Sequence, residues 1–85
     1  MFSYVQALKS GFNSVAQTDR AIGFDEAKNI LGSMHGTSLI AAPALLYGLW
    51  KAYGNFGNGK VSYKDFIIIA FSLKTMLKNY NKTTH

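Results

Sequence analysis

Apolar residues return every three or four positions along most of this chain, the spacing of one helix face. Phe2, Val5, Leu8, Phe12 and Val15 mark a first helix from about Phe2 to Val15, weakened slightly by Gly11. Phe24, Ala27, Ile30, Leu31 and Met34 mark a second, over about Phe24–Met34. Asp25 and Glu26 fall in its first turn, where negative charge suits the helix dipole, and Gly36 is a natural stop. A third helix runs from Pro43 to Tyr53, with Leu46, Leu49, Trp50 and Tyr53 on its apolar face. Proline fits its first position because the missing N–H would be unpaired there anyway. The fourth opens with Ser62-Tyr63-Lys64-Asp65, which has the form of a capping box. The run from Phe66 to Leu77 is apolar on more than one face, so this helix either sits centrally in the core or leaves part of itself for a partner. Lys74 and Lys78 near its end complement the dipole.

Strand signals are confined to Arg20-Ala21-Ile22 and Lys60-Val61-Ser62, which could pair once between the helices. Each half of the chain then reads helix, polar loop, short extended piece, helix. This is an internal repeat with a period of about 39 residues, carrying Ile22 onto Val61. The expected fold is all-α: four helices with a minimal two-stranded loop–loop pairing.

Composition narrows the class. With 85 residues, 48% hydrophobic and 15% charged, the chain is one small domain with a packed core. It has no cysteine, which removes disulfides, thiolate metal sites and cysteine nucleophiles. The apolar stretches Leu39–Trp50, broken by Pro43 and Gly48, and Phe66–Leu73 fall short of the roughly 20 residues of a membrane span. No signal-peptide pattern opens the chain, so a cytoplasmic location is expected. The net charge of +5 is lopsided: residues 1–42 balance to zero and residues 43–85 carry all of it. Such a half points to an acidic partner, an anionic surface or nucleic acid.

The most specific stretch runs from Leu49 to Phe66. Gly59 stands where a tight turn is needed, Val61 two residues on, Asp65 six residues on, and Phe66 follows; Trp50 and Tyr53 close the preceding helix. This resembles the EF-hand, whose twelve-residue loop has glycine at position six, an aliphatic residue at position eight and an acid at position twelve. The first half resembles a degenerate copy. Ile22 matches position eight and Glu26 position twelve, but Ala16 to Glu26 is eleven residues, one short. The resemblance implies a pair of helix–loop–helix units: a first hand over 1–36, a linker over 37–42, a second hand over 43–79 and a frayed tail over 80–85.

The resemblance does not imply calcium. Calcium wants six to eight oxygens, several from carboxylates. In the second loop Gly54 and Phe56 stand at positions one and three, leaving Asn58, Ser62 and Asp65 as side-chain donors, with Lys60 and Lys64 adding repulsion. The first loop begins at Ala16 and contains Arg20. No metal or other cofactor is expected. Catalysis is not expected either: His35 and His85 are the only imidazoles, Ser33 has no evident base, and Gly59-Lys60 is followed by Val61 where a phosphate loop needs Ser or Thr.

Two classes of function remain. The first is a calcium-independent interaction module gripping an amphipathic helix of a larger protein, in the manner of a calmodulin-like lobe or a myosin light chain. Its candidate groove residues are Met34, Leu46, Trp50, Phe71, Met76 and Leu77. Because such lobes are usually acidic and their targets basic, +5 points to an acidic or neutral target helix. The second is an S100-like dimer through the last helix, or a membrane-surface protein using Lys74, Lys78 and Lys82. Nucleic acid fits poorly: Arg20 is the only arginine, and base and phosphate recognition favours arginine.

Overall fold

The structure is a computed structural model that describes residues 3–54 and 59–83, with side chains through Tyr80. Among these residues are five helices and two short strands: α1 Tyr4–Val15, β1 Ala21–Ile22, α2 Phe24–His35, α3 Thr37–Ala41, α4 Pro43–Tyr53, β2 Val61–Ser62 and α5 Tyr63–Thr83.

Each helix begins and ends for a local reason. Ser3 caps α1 through a reciprocal box: Gln6 N–H donates to Ser3 Oγ at 3.1 Å and Ser3 N–H donates to Gln6 Oε1 at 3.2 Å. This cap sets the start at Tyr4, two residues beyond the expected one. Pro43 occupies the first turn of α4 as expected. The caps of α2 and α5 each hold half a box. Glu26 Oε1 accepts the Gly23 N–H at 2.9 Å, and Ser62 Oγ accepts the Asp65 N–H at 3.4 Å.

Two corrections concern the helices. The expected linker over 37–42 carries α3, giving five helices rather than four. Burial of Leu39 and Ala42 in the core makes that turn of helix favourable, and Gly36, at φ +59°, lets the chain turn from α2 into it. The expected tail over 80–85 is helical through Thr83. No glycine or proline occurs after Lys60 to stop the helix.

The two strands pair antiparallel, Ala21 opposite Ser62 and Ile22 opposite Val61. Two residues before each paired aliphatic, the backbone turns left-handed: Gly59 at φ +73° and Arg20 at φ +55°. Glycine adopts this conformation freely, and arginine at some cost. Arg20 is held there by its guanidinium, which donates to Asn13 Oδ1 at 2.7 Å and lies over the Phe12 ring. The loops differ in length as the sequence shows. Gln17, Thr18 and Asp19 separate the α1 cap Ala16 from Arg20, while residues 55–58 separate the α4 cap Gly54 from Gly59.

The core is one continuous cluster, and α5 is its spine. Phe66, Ile69, Ala70, Leu73 and Leu77 form its buried stripe, packing against α1, α3, α4 and β2. Leu8 and Phe12 enter from α1, Ala27 and Leu31 from α2, Leu46 and Trp50 from α4, and Ile22 and Val61 close the sheet end. Every side chain in this buried set is apolar, and none leaves a polar atom unpaired among the described residues. No helix among the described residues is long and apolar enough to cross a membrane.

Candidate functional site

Helices α2, α3 and α4 enclose a groove of about 750 Å³. One wall is α2, where Phe24, Lys28 and Gly32 repeat every four residues on one face with Asn29 beside them. Leu39 and Leu46, both buried, form the floor. Ile40 of α3 and Pro43, Ala44 and Tyr47 of α4 complete the lining.

The groove is open and apolar. Ile40 is 76% exposed and Tyr47 56%, the two most exposed large hydrophobic side chains among the described residues. Ile40 projects outward because its neighbour Leu39 takes the inward position of the single turn that α3 provides. Phe24 stands edge-on to both Tyr47 and Trp50, with centroids at 6.1 and 5.5 Å, so aromatic packing stiffens the α2–α4 wall. Gly32, two turns beyond Phe24 on α2, leaves that wall recessed: a Cβ built there meets nothing within 4 Å. Charge at the groove is positive. Lys28 is the charged residue of the lining, and Lys51 Nζ lies 5.4 Å from the centre of the Tyr47 ring.

Of the six residues expected to form a groove, Leu46 lines this one. Trp50 is 8% exposed and belongs to the core, with its indole N–H donating to the Gly59 carbonyl at 2.7 Å. Leu77 is buried in the α5 stripe, and Met34 packs half-buried against the core. Phe71 and Met76 are exposed on α5, but five residues apart they face different sides of the helix. Sequence reasoning missed Phe24, Ile40 and Tyr47. The signals were present: the Leu39-Ile40 pair inside a supposed linker, and Gly32 interrupting an otherwise regular helix.

The loop residues have other partners. Ser62 is engaged in the α5 cap, together with the Asp65 backbone, and Asn58 lies outside the described residues. Asp19 is paired with Lys60, Nζ to Oδ2 at 3.0 Å, across the two loops. This hydrogen bond and charge hold the Asp19 carboxyl below its usual range. Among the described residues no three His, Asp or Glu side chains gather where they could hold a metal ion.

A polar cluster sits where α1, α2 and α5 meet. The Tyr4 hydroxyl donates to the Ala70 carbonyl at 3.0 Å and lies 2.7 Å from His35 Nε2. Burial pushes the Tyr4 phenol up to about 12. Burial and the nearby Lys74 ammonium push the His35 imidazolium to a lower pKa than usual. The cluster ties three helices together.

Comparison of the chain with protein-family models, with curated proteins and with solved structures gave no match.

Proposed function

We propose that this chain is a calcium-independent helix-binding module, built as a degenerate EF-hand pair, and that the groove between α2, α3 and α4 takes an amphipathic helix with acidic flanks. The observation that carries the reading is the groove itself: an open, aromatic-walled trough with Ile40 and Tyr47 standing exposed on its rim. Isolated exposed hydrophobic residues are ordinary, but a contiguous set around a preformed depression is what an apolar helix face fits. A small ligand would be better served by a deep pocket that buries most of its surface. Lys28 in the lining and Lys51 beside Tyr47 complement carboxylates on the partner and oppose a basic target.

Several features support the EF-hand part of the reading. The helix–strand–helix order occurs twice, Ile22 pairs with Val61, and left-handed residues stand at Arg20 and Gly59. The chemistry of the loops supports calcium independence. Asp19 already has a cation in Lys60, and Arg20 projects from the same loop, so a divalent ion would meet repulsion before it met ligands.

The test uses two synthetic helices with the same leucine stripe, one carrying glutamates and the other lysines on its polar face. The acidic peptide should bind, with or without calcium, and the basic one should bind at least tenfold more weakly. Gly32→Leu fills the recess and should abolish binding while the protein stays folded by circular dichroism. Equal binding of both peptides, or binding untouched by Gly32→Leu, would remove the groove from consideration.

A further inference from the structure

A second surface shares no residue with the groove. Along the outer side of α5, Lys64, Ile68, Phe71, Thr75 and Lys78 follow one another at alternating steps of four and three, which places them on one strip. Ile68 and Phe71 in the middle of the strip are exposed, 36% and 39%. Helix α1 borders it. The Tyr4 ring meets Phe71 edge-on at 5.2 Å, and Lys74 Nζ lies 4.6 Å from the centre of the same ring. Val5, next to Tyr4, is exposed, and Lys9 stands one turn further along α1.

The charge on this face is mainly positive. Helix α1 contains no acidic residue, and the one acid of α5 is Asp65 in its first turn. The other three acids, Asp19, Asp25 and Glu26, lie before β1 and at the start of α2. Lys9, Lys64, Lys74 and Lys78 on these two helices thus outnumber the single carboxylate, Asp65, which flanks the strip beside Lys64.

We propose that this outer face of the α1–α5 seam docks on an anionic phospholipid surface. Ile68 and Phe71 enter the headgroup region, and the four lysines meet the lipid charge around them. One feature chooses lipid over an acidic protein. The apolar side chains stand out from a helix face instead of lining a depression, so with lysines around them they can enter a soft anionic interface but offer no pocket for a partner's side chain. The proposal stands independently of the function assigned to the groove.

Co-sedimentation with vesicles tests it. The intact protein should sediment with vesicles of phosphatidylserine and phosphatidylcholine and stay in solution with phosphatidylcholine alone. High salt should release it. Lys64→Gln with Lys78→Gln should lower partitioning by about thirtyfold, from the usual contribution of a basic residue at such a surface. Ile68→Asn should lower it several-fold with the lysines intact, and unchanged helicity in each variant should accompany the loss. Gly32→Leu, which fills the groove, should leave vesicle binding as it was. Failure to sediment with the anionic vesicles at low salt overturns the proposal, as does indifference to Ile68→Asn. Loss of vesicle binding on Gly32→Leu would give the lipid to the groove, and equally tight binding of soluble polyglutamate would replace the lipid surface with an acidic protein.

Discussion

Tyr4 and His35 show how one side-chain pair sets the pH limits of a fold. Tyr4 has a single hydroxyl proton, and it goes to the Ala70 carbonyl. The 2.7 Å contact with His35 must then be donated by the imidazole, which fixes the proton of the neutral ring on Nε2. A second proton on Nδ1 would put a partly buried charge near the Lys74 ammonium, and this lowers the folded-state value below the ordinary 6.5. In the window between that lowered value and 6.5 the unfolded chain binds the extra proton and the folded chain does not. The contribution of His35 is therefore complete above 6.5 and is lost as the pH falls through the window. Tyr4 acts at the other side: the unfolded phenol ionises near 10.0 and the folded one near 12, so stability is complete below 10 and falls between the two. Urea midpoints followed across the imidazole range should decline on acidification, and His35→Gln should flatten the decline. Tyr4→Phe should flatten the alkaline limb. Parallel pH profiles in variant and parent would show that the pair is not the cause.

At the scale of the elements, two glycines in neighbouring helices should respond oppositely to the same substitution. Helix propensity alone favours alanine over glycine by about 1 kcal/mol in each. Gly32 faces the open groove, where a new Cβ meets nothing, so Gly32→Ala should stabilise the protein by up to that amount. Gly11 lies where α1 crosses α2, and a Cβ there would stand 2.7 Å from Ile30 Cγ2. The branched Ile30 side chain is stiff in a helix, so relief requires the helices to part, at a cost of about 1–3 kcal/mol. Gly11→Ala should therefore lower stability by about 1 kcal/mol, and thermal melts of the two variants should move in opposite directions. The sequence shows both glycines as weak points in a helix but not what faces them. The same limit governs the rest. The stripes of α1, α2, α4 and α5 were legible because periodicity reports which side is buried, and the pairing of Ile22 with Val61 was legible from the repeat. Helix α3 was not, because one turn is shorter than the period that reveals a helix, and its identity rests on the docking of Leu39. The groove was not legible either. Its walls depend on which sides of three helices remain uncovered, and of the buried residues Leu46, Trp50 and Leu77 only Leu46 also reaches the groove floor.

For the whole molecule, the arrangement demands that the two halves unfold together. The stripe of α5, from the second half, is covered on one side by Phe12 of α1 and on another by α4. The sheet contributes one strand from each half, and the Asp19–Lys60 pair crosses the same junction, although so exposed an ion pair adds little. Neither half can bury its apolar face without the other, and a domain of this size has little stability to spare. Trp50 makes this testable. Its indole is buried in the second half, donates to Gly59 and abuts Phe24 of the first, so its fluorescence reports the junction, while circular dichroism reports all five helices. The two thermal transitions should coincide. Ile22→Val removes one buried methyl group from the first strand, at about 1 kcal/mol, which for a chain this short corresponds to a fall of about 4–8 °C in the midpoint. Both signals should shift by that same amount, although Trp50 lies on the other half of the repeat. If the Trp50 transition stayed in place while helicity was lost in two steps, the halves would be separate folding units, and the single core spanning them would not govern stability.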